Sequence, residues 1–286
     1  MVDDERPSLA HADPGSATWQ PDEISSRQTK ISEFLEGQFA FPFVREAAMR
    51  TLELLALEPG GSVLDMGCGN GAFLPLLARV VGPRGRVVGL DHAPAFVAEA
   101  RSRVAAEGLE DTVSVVEGDA YGLPFEDGSF DAARCERVLM HLDDPTAALS
   151  EMRRVVQPGG TVVATEPDWV SLVLDHPDPE VFDMLYARFV QRFRQPRMGR
   201  SLYRRMHEAG LVKREIATIT TVHTDPLLLQ QSGLDLQPQA DELVAEGQID
   251  RSRADSAASY IDAANDAGVF FSGGIYFIVA GRVPAV

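Results

Sequence analysis

Three glycines in five residues, Gly67, Gly69 and Gly71, close the run Val63-Leu64-Asp65-Met66-Gly67-Cys68-Gly69-Asn70-Gly71. Glycine lets the chain turn tightly and bring its backbone close to a ligand. A helix after such a loop offers free N–H groups at its start. Two carboxylates follow at telling distances. Asp91 stands twenty residues after Gly71, where a carboxylate can accept both hydroxyls of a ribose. Asp119, in Gly118-Asp119-Ala120, can accept the amino group of adenine. Each feature alone has a plainer account, as a bare strand-to-helix turn or a solvated loop acid. Gly67, Gly69 and Ala72 also satisfy the dinucleotide pattern G-x-G-x-x-A. Two more pieces join them: Phe125-Glu126-Asp127-Gly128-Ser129-Phe130-Asp131 and Gln157-Pro158-Gly159-Gly160-Thr161. Their order and spacing together are hard to obtain by accident.

The elements that must position these residues alternate. Short apolar runs at Ser62–Met66, Arg86–Leu90, Val113–Val116, Phe130–Arg134 and Thr161–Thr165 read as strands. Helical stretches lie between them at Ala72–Val81, Ala93–Glu107 and Pro145–Val156. This alternation predicts a parallel α/β sheet that binds ligands at the carboxyl ends of its strands. After Glu166 the rhythm changes. Helices are expected over 178–194 and 200–209, a strand over Lys213–His223, a polar helical insertion over 226–266 and a closing strand within 269–280. The domains follow: a disordered arm at 1–20, a helical lid at 21–58, a cofactor-binding core at 59–168, a helical cap at 169–210, and a final β-pair at 211–286 carrying an insertion at 225–268.

Composition narrows the partners. Of 286 residues, 45% are hydrophobic and 24% charged, ordinary values for a soluble domain. The formal charge of -17 repels phosphate backbones and anionic lipid, so neither nucleic acid nor a membrane surface is expected. Two cysteines, Cys68 and Cys135, make neither a disulfide framework nor a Cys-based zinc site, and no metal site is expected. The acidic, polar start is unlike a signal peptide, and a cytoplasmic location is expected.

The glycine loop, Gly118-Asp119-Ala120, the Phe125–Asp131 run and Pro158-Gly159-Gly160 together resemble a class I S-adenosylmethionine-dependent methyltransferase. The resemblance is nearest to the branch that includes quinone and sugar methyltransferases, and it is close over residues 40–168. It implies a Rossmann-like α/β fold: a seven-stranded, mostly parallel sheet in the order 3-2-1-4-5-7-6, with the last strand antiparallel and helical cap insertions. One departure is Gln157, where the family often has leucine or lysine. The resemblance also implies a cofactor site for S-adenosylmethionine. In it Gly67 and Gly69 admit the methionine and ribose parts, and Asp65 orients the loop and reaches the cofactor amino group through water. Asp91 takes the ribose hydroxyls, His92 packs beside the adenine, Asp119 and Ala120 hold and line the adenine, and Glu136 serves the methionine end.

Methyl transfer needs a nucleophile aligned with the methyl carbon and water excluded. A general base is optional. His141, in Val138-Leu139-Met140-His141-Leu142-Asp143-Asp144-Pro145, is the candidate base, against a structural role in the loop. Glu166, at the end of the fifth strand, is the second catalytic candidate, against a cofactor-side or solvated carboxylate. Similar sugar methyltransferases place a histidine and an acid at these positions. Trp169 either paves the acceptor pocket or anchors the cap. Arg194, Arg197 and Arg200 either hold an acidic acceptor or form a solvated loop. Phe182, Leu185, Tyr186 and Phe189 form either a cap wall or a packing seam. Residues 24–41, with Phe34, Phe39 and Phe41, are expected to order over the cofactor. The partner expected is a small-molecule acceptor, most readily at oxygen, with a homodimer left open. The competing readings are an NAD-dependent oxidoreductase, and a methyltransferase fold that binds S-adenosylmethionine without methylating.

Overall fold

In the first strand Val63 and Leu64 are both fully buried, yet they belong to opposite hydrophobic clusters. Val87 and Val88 in the second strand, and Val162 and Val163 in the fifth, divide in the same way. Successive strand side chains point to opposite faces, so continuous apolar runs require helices on both sides of the sheet. The computed structural model has that arrangement; it describes residues 32–33, 35–38, 41–231 and 234–285. The arm at 1–20, and Phe34 and Phe39, lie outside the described residues.

The strands are β1 (Ser62–Met66), β2 (Arg86–Asp91), β3 (Val113–Glu117), β4 (Phe130–Glu136), β5 (Val156–Leu174), β6 (Val212–His223) and β7 (Ser272–Arg282). Their order is β3-β2-β1-β4-β5-β7-β6. β7 runs antiparallel to both β5 and β6, and the other pairs are parallel. The helices among the described residues are α1 (Pro42–Leu55), α2 (Leu74–Val81), α3 (Pro94–Ala106), α4 (Pro145–Val155), α5 (Pro179–Val190), α6 (Met198–Glu208), and, in the insertion, α7 (Leu227–Gln231), α8 (Gln237–Ala245), α9 (Arg251–Ala258) and α10 (Tyr260–Asp266). Proline begins α1, α3, α4 and α5, where its missing N–H costs no helical bond. Asp144 caps α4 by accepting from the Thr146 and Ala147 amides at 3.0 and 3.1 Å.

Two of the sequence motifs fasten strands. The Asp131 carboxylate accepts the Ser62 amide at 2.7 Å and the Ser62 hydroxyl at 2.8 Å, tying the start of β1 to β4. Gln157 donates to the other Asp131 oxygen at 2.6 Å, so the residue that departs from the family pattern braces the same joint.

Two expected boundaries shift. β5 was expected to end at Thr165 and the cap to begin at 169, yet the strand runs to Leu174 because β7 offers it a partner along that length. Its register with β7 slips between Asp168 and Val173, which lets Trp169 leave the regular ladder. Of the stretch 21–58 expected as a lid, α1 instead packs on the sheet: Thr51 and Thr165 hydroxyls meet at 3.1 Å in the interior. Among the described residues of this stretch, Leu35 and Gln38 reach the ligand-binding end. Their segment is pinned to α3 by Ser32 to Glu99 at 2.6 Å and Arg103 to Glu36 at 2.5 Å.

Candidate functional site

A cavity of about 660 Å³ opens at the carboxyl ends of the parallel strands. Gly67, Gly69, Asp91, His92, Asp119, Ala120, Glu136 and His141 all line it. Asp65 and Glu166 do not.

At one end the backbone makes the site. Gly67 has φ +74°, and a Cβ there would stand 2.3 Å from Val138. Gly69 has φ +53°, with Leu35 3.4 Å from where its Cβ would lie. Gly67 therefore excludes other residues by conformation and by contact, while Gly69 holds a left-handed conformation that favours glycine. The Asp91 carboxylate is fixed on both oxygens: Gly69 N–H donates at 2.9 Å and Ala93 N–H at 3.0 Å. Each oxygen keeps lone-pair capacity toward the cavity. Exposed Asp119 receives the Tyr121 amide at 2.9 Å at the rim. Leu35 packs on Ala93 and Phe96, and with Gln38 closes the cavity from above.

Beneath the loop lies a buried charge row. Arg134 donates to Asp65 at 2.9 Å and to Glu136 at 2.5 Å, and its guanidinium covers the Phe73 ring at 3.6 Å. Burial lifts the Asp65 carboxyl to about 6 despite Arg134 beside it, so it is ionised and paired at neutral pH. Asp65 thus orients the strand end through Arg134, and its side chain does not face the cavity.

The other end is built from distant segments. The Trp169 and Phe193 rings stack with centroids 4.4 Å apart and planes 15° apart. Both line the cavity, with Met140, Leu142 and Tyr276. Trp169 therefore both paves the pocket and joins α5's following turn to the core. Arg194 lines the rim and pairs with Asp143. Arg200 is elsewhere, paired with Asp168 on the first turn of α6, where Gly199 allows the helix to approach β5 closely. Phe182, Leu185, Tyr186 and Phe189 are buried in the core and line no part of this cavity, which makes them the packing seam.

Glu166 is fully buried and turned away from the cavity. Its Oε1 accepts the Val138 amide at 3.0 Å and the Leu139 amide at 2.7 Å, so it holds the turn that carries His141. The expectation that it reaches the acceptor beside His141 is corrected accordingly: backbone amides of residues 138 and 139 sit between its acid group and that role. Burial raises it to about 8, and its Oε2 has no hydrogen-bond partner among the described residues. His141, half-buried at the cavity wall, is pushed down to about 3 by burial and by Arg137, His92 and Arg194. At neutral pH it is therefore an uncharged imidazole.

The family model described as a methyltransferase domain matches residues 64–164. Over 267 residues the chain is 38% identical to an uncharacterized 37.1 kDa protein in transposon TN4556 of Streptomyces fradiae, covering 92% of this chain and 72% of that protein. It is 38% identical over 133 residues to the demethylmenaquinone methyltransferase of Bacillus cytotoxicus, covering 46% of this chain and 56% of that enzyme. The chain thus spans little more than half the length of that quinone relative. Residues 64–164 belong to the methyltransferase domain family, in the class I S-adenosylmethionine-dependent fold. In fold the chain is also similar to the YcgJ protein of Bacillus subtilis, with a TM-score of 0.60 at 20% identity over 85% of this chain and 100% of that one.

The cofactor of this family of methyltransferases is S-adenosylmethionine. The residues present fit it: a glycine cradle that a Cβ would fill, and a fixed carboxylate at the second strand tip. The glycine loop contains no lysine or arginine, in keeping with a cofactor that has no phosphate. Among the described residues no group of three or more His, Cys, Asp or Glu side chains could hold a metal ion, and no helix is long and apolar enough to cross a membrane.

Sequence reasoning missed Arg137, Tyr121 and Tyr276, which also line the cavity. Arg137 was within reach, since it directly follows Glu136 at the end of β4. Tyr276 had no local signal: antiparallel pairing opposite Pro167 and Ile219 is what carries it to the site.

Proposed function

We propose that this methyltransferase moves a methyl group to an oxygen atom of a small, flat, largely apolar acceptor. The observation that carries this reading is the cavity's two-part wall: glycines and carboxylates at one end, the Trp169–Phe193 stack with His141 at the other. When bound, S-adenosylmethionine supplies a methyl group on a sulfonium centre. Gly67 and Gly69 would admit its methionine and ribose parts against bare backbone. Asp91 would accept the ribose hydroxyls, Asp119 the adenine amino group, with Ala120 and His92 against the ring. Glu136 would serve the methionine ammonium, and Asp65 would act through Arg134. The stacked rings would seat the acceptor and exclude water from the line of attack. His141, uncharged, would hydrogen-bond the nucleophilic oxygen and take its proton from an acceptor that arrives protonated. The relative named for demethylmenaquinone supports a ring-shaped apolar acceptor.

The test is a screen of phenols, quinols and glycosides with methyl-labelled S-adenosylmethionine. Label appearing in an O-methyl product, together with S-adenosylhomocysteine, is the expected result. Label on carbon or nitrogen would overturn the oxygen assignment. A converted acceptor with no S-adenosylhomocysteine formed would overturn methylation itself.

A further inference from the structure

Arg137 follows the last residue of β4 at φ +54°, an uncommon conformation for a residue with a Cβ. The side chain is thereby brought to the cavity wall. Its Nε is buried and has no hydrogen-bond partner among the described residues. The nearest acid, Glu136, stands 3.8 Å from that nitrogen through Oε1, while its Oε2 is occupied by Arg134 at 2.5 Å. Arg137 is therefore a cation with one buried N–H left unpartnered, and its partly exposed side chain lines the same wall as Trp169 and Phe193. The cavity wall it shares carries apolar Met140, Leu142, Trp169 and Phe193, together with the acids Glu136 and Asp143. Apolar walls strengthen a charge-assisted hydrogen bond.

We propose that the acceptor binds as an anion, its ionised hydroxyl held against Arg137, so that this arginine selects acidic enols and phenols. The inference rests on the methyltransferase reading above. It extends it in one respect: an ionised acceptor has no proton to lose, so His141 holds the oxygen by donating its N–H instead of acting as a base. Burial keeps His141 uncharged, and the Arg137 and Arg194 guanidinium groups, which add to that effect, favour negative charge beside it.

Calorimetry on the full chain tests this with two probes of nearly equal shape, 2-hydroxy-1,4-naphthoquinone, an enol ionised at neutral pH, and its neutral methyl ether. S-adenosylhomocysteine is titrated first, and each probe is then titrated into the saturated complex. The enolate is expected to bind about tenfold or more tighter than the ether, the scale of a charge-assisted hydrogen bond. Arg137→Gln should abolish that preference and Arg137→Lys should keep part of it, with S-adenosylhomocysteine affinity unchanged in both. No preference in the wild-type protein, whether both probes bind or neither does, overturns the inference without need of any variant. So does a loss of S-adenosylhomocysteine affinity in a folded Arg137→Gln protein, which would assign the arginine to the cofactor carboxylate. Failure of S-adenosylhomocysteine to bind wild type would instead remove the methyltransferase reading, and this inference with it.

Discussion

The two ends of the cavity are made in opposite ways. The cofactor end uses backbone and short side chains from consecutive β-α units, with the Gly67 to Asp119 segments each placed by its own strand tip. The acceptor end uses long side chains from the β4 turn, the β5 slip, the turn after α5, and β7. The first is specified by local conformation: positive φ at Gly67 and Gly69, and an Asp91 carboxylate held by two amides. The second is specified by packing between segments far apart in sequence, such as Trp169 on Phe193. A site that must take one cofactor can be rigid and local. A site that selects an acceptor gains from residues that can be exchanged without disturbing the loop next to it.

The sharpest way to break this contrast is at Gly67, where the ends touch. Gly67→Ala introduces a Cβ 2.3 Å from Val138 on a backbone of positive φ. Cofactor binding and stability together are expected to fall by roughly 2–4 kcal/mol, seen by calorimetry and urea melts. Adding Val138→Ala should recover the collision but not the conformational strain. Full recovery would mean that packing, and not φ, governs this end.

Glu166 offers an effect of similar size, at the acceptor end. Its carboxyl is raised by burial from the ordinary 4.5 to about 8, so the folded state holds a proton that the unfolded state has released. Its stabilising contribution is complete below about pH 4.5 and is lost as pH rises through 8. Glu166→Gln keeps the oxygen that accepts the Val138 and Leu139 amides and cannot ionise. It should match wild type to within about 1 kcal/mol near pH 5 and exceed it by roughly 4 kcal/mol at pH 9 in denaturant melts. Parallel pH dependence in the two proteins would rule this account out.

Asp91→Ala should weaken S-adenosylhomocysteine binding by ~1–3 kcal/mol, since the ribose hydroxyls lose a charged partner. Acceptor affinity in the saturated complex should not move. Trp169→Ala is the converse and the smallest effect. Loss of one stacked face should raise the acceptor KM by an amount worth ~0.5–1.5 kcal/mol while S-adenosylhomocysteine affinity holds. If either variant changed both ligands equally, the two ends would be one coupled unit.

Legibility in the sequence follows the same division. β1 to β4, the helices between them and the carboxylates at their tips are read from period, glycine position and spacing, because those signals act within a few residues. Glu166 shows where such reading stops. Its position at the end of a strand suggested a catalytic acid, yet only the turn it caps, folded back from residues 138 and 139, decides that it faces amides. Asp65 is similar: its neighbour in space is Arg134, placed beside it by the parallel pairing of β1 and β4.

The amino-acid sequence alone determined the alternating α/β core, the family resemblance, and the glycines and carboxylates gathered at the strand tips, since each depends on backbone conformation over short stretches of chain. Tertiary structure alone decided which side chains share the other end of the cavity: Arg137, Trp169, Phe193 and Tyr276 line it through strand register and a slip in the β5–β7 ladder. Contacts between segments a hundred residues apart are set by how the sheet and its helices pack, and no local pattern encodes them.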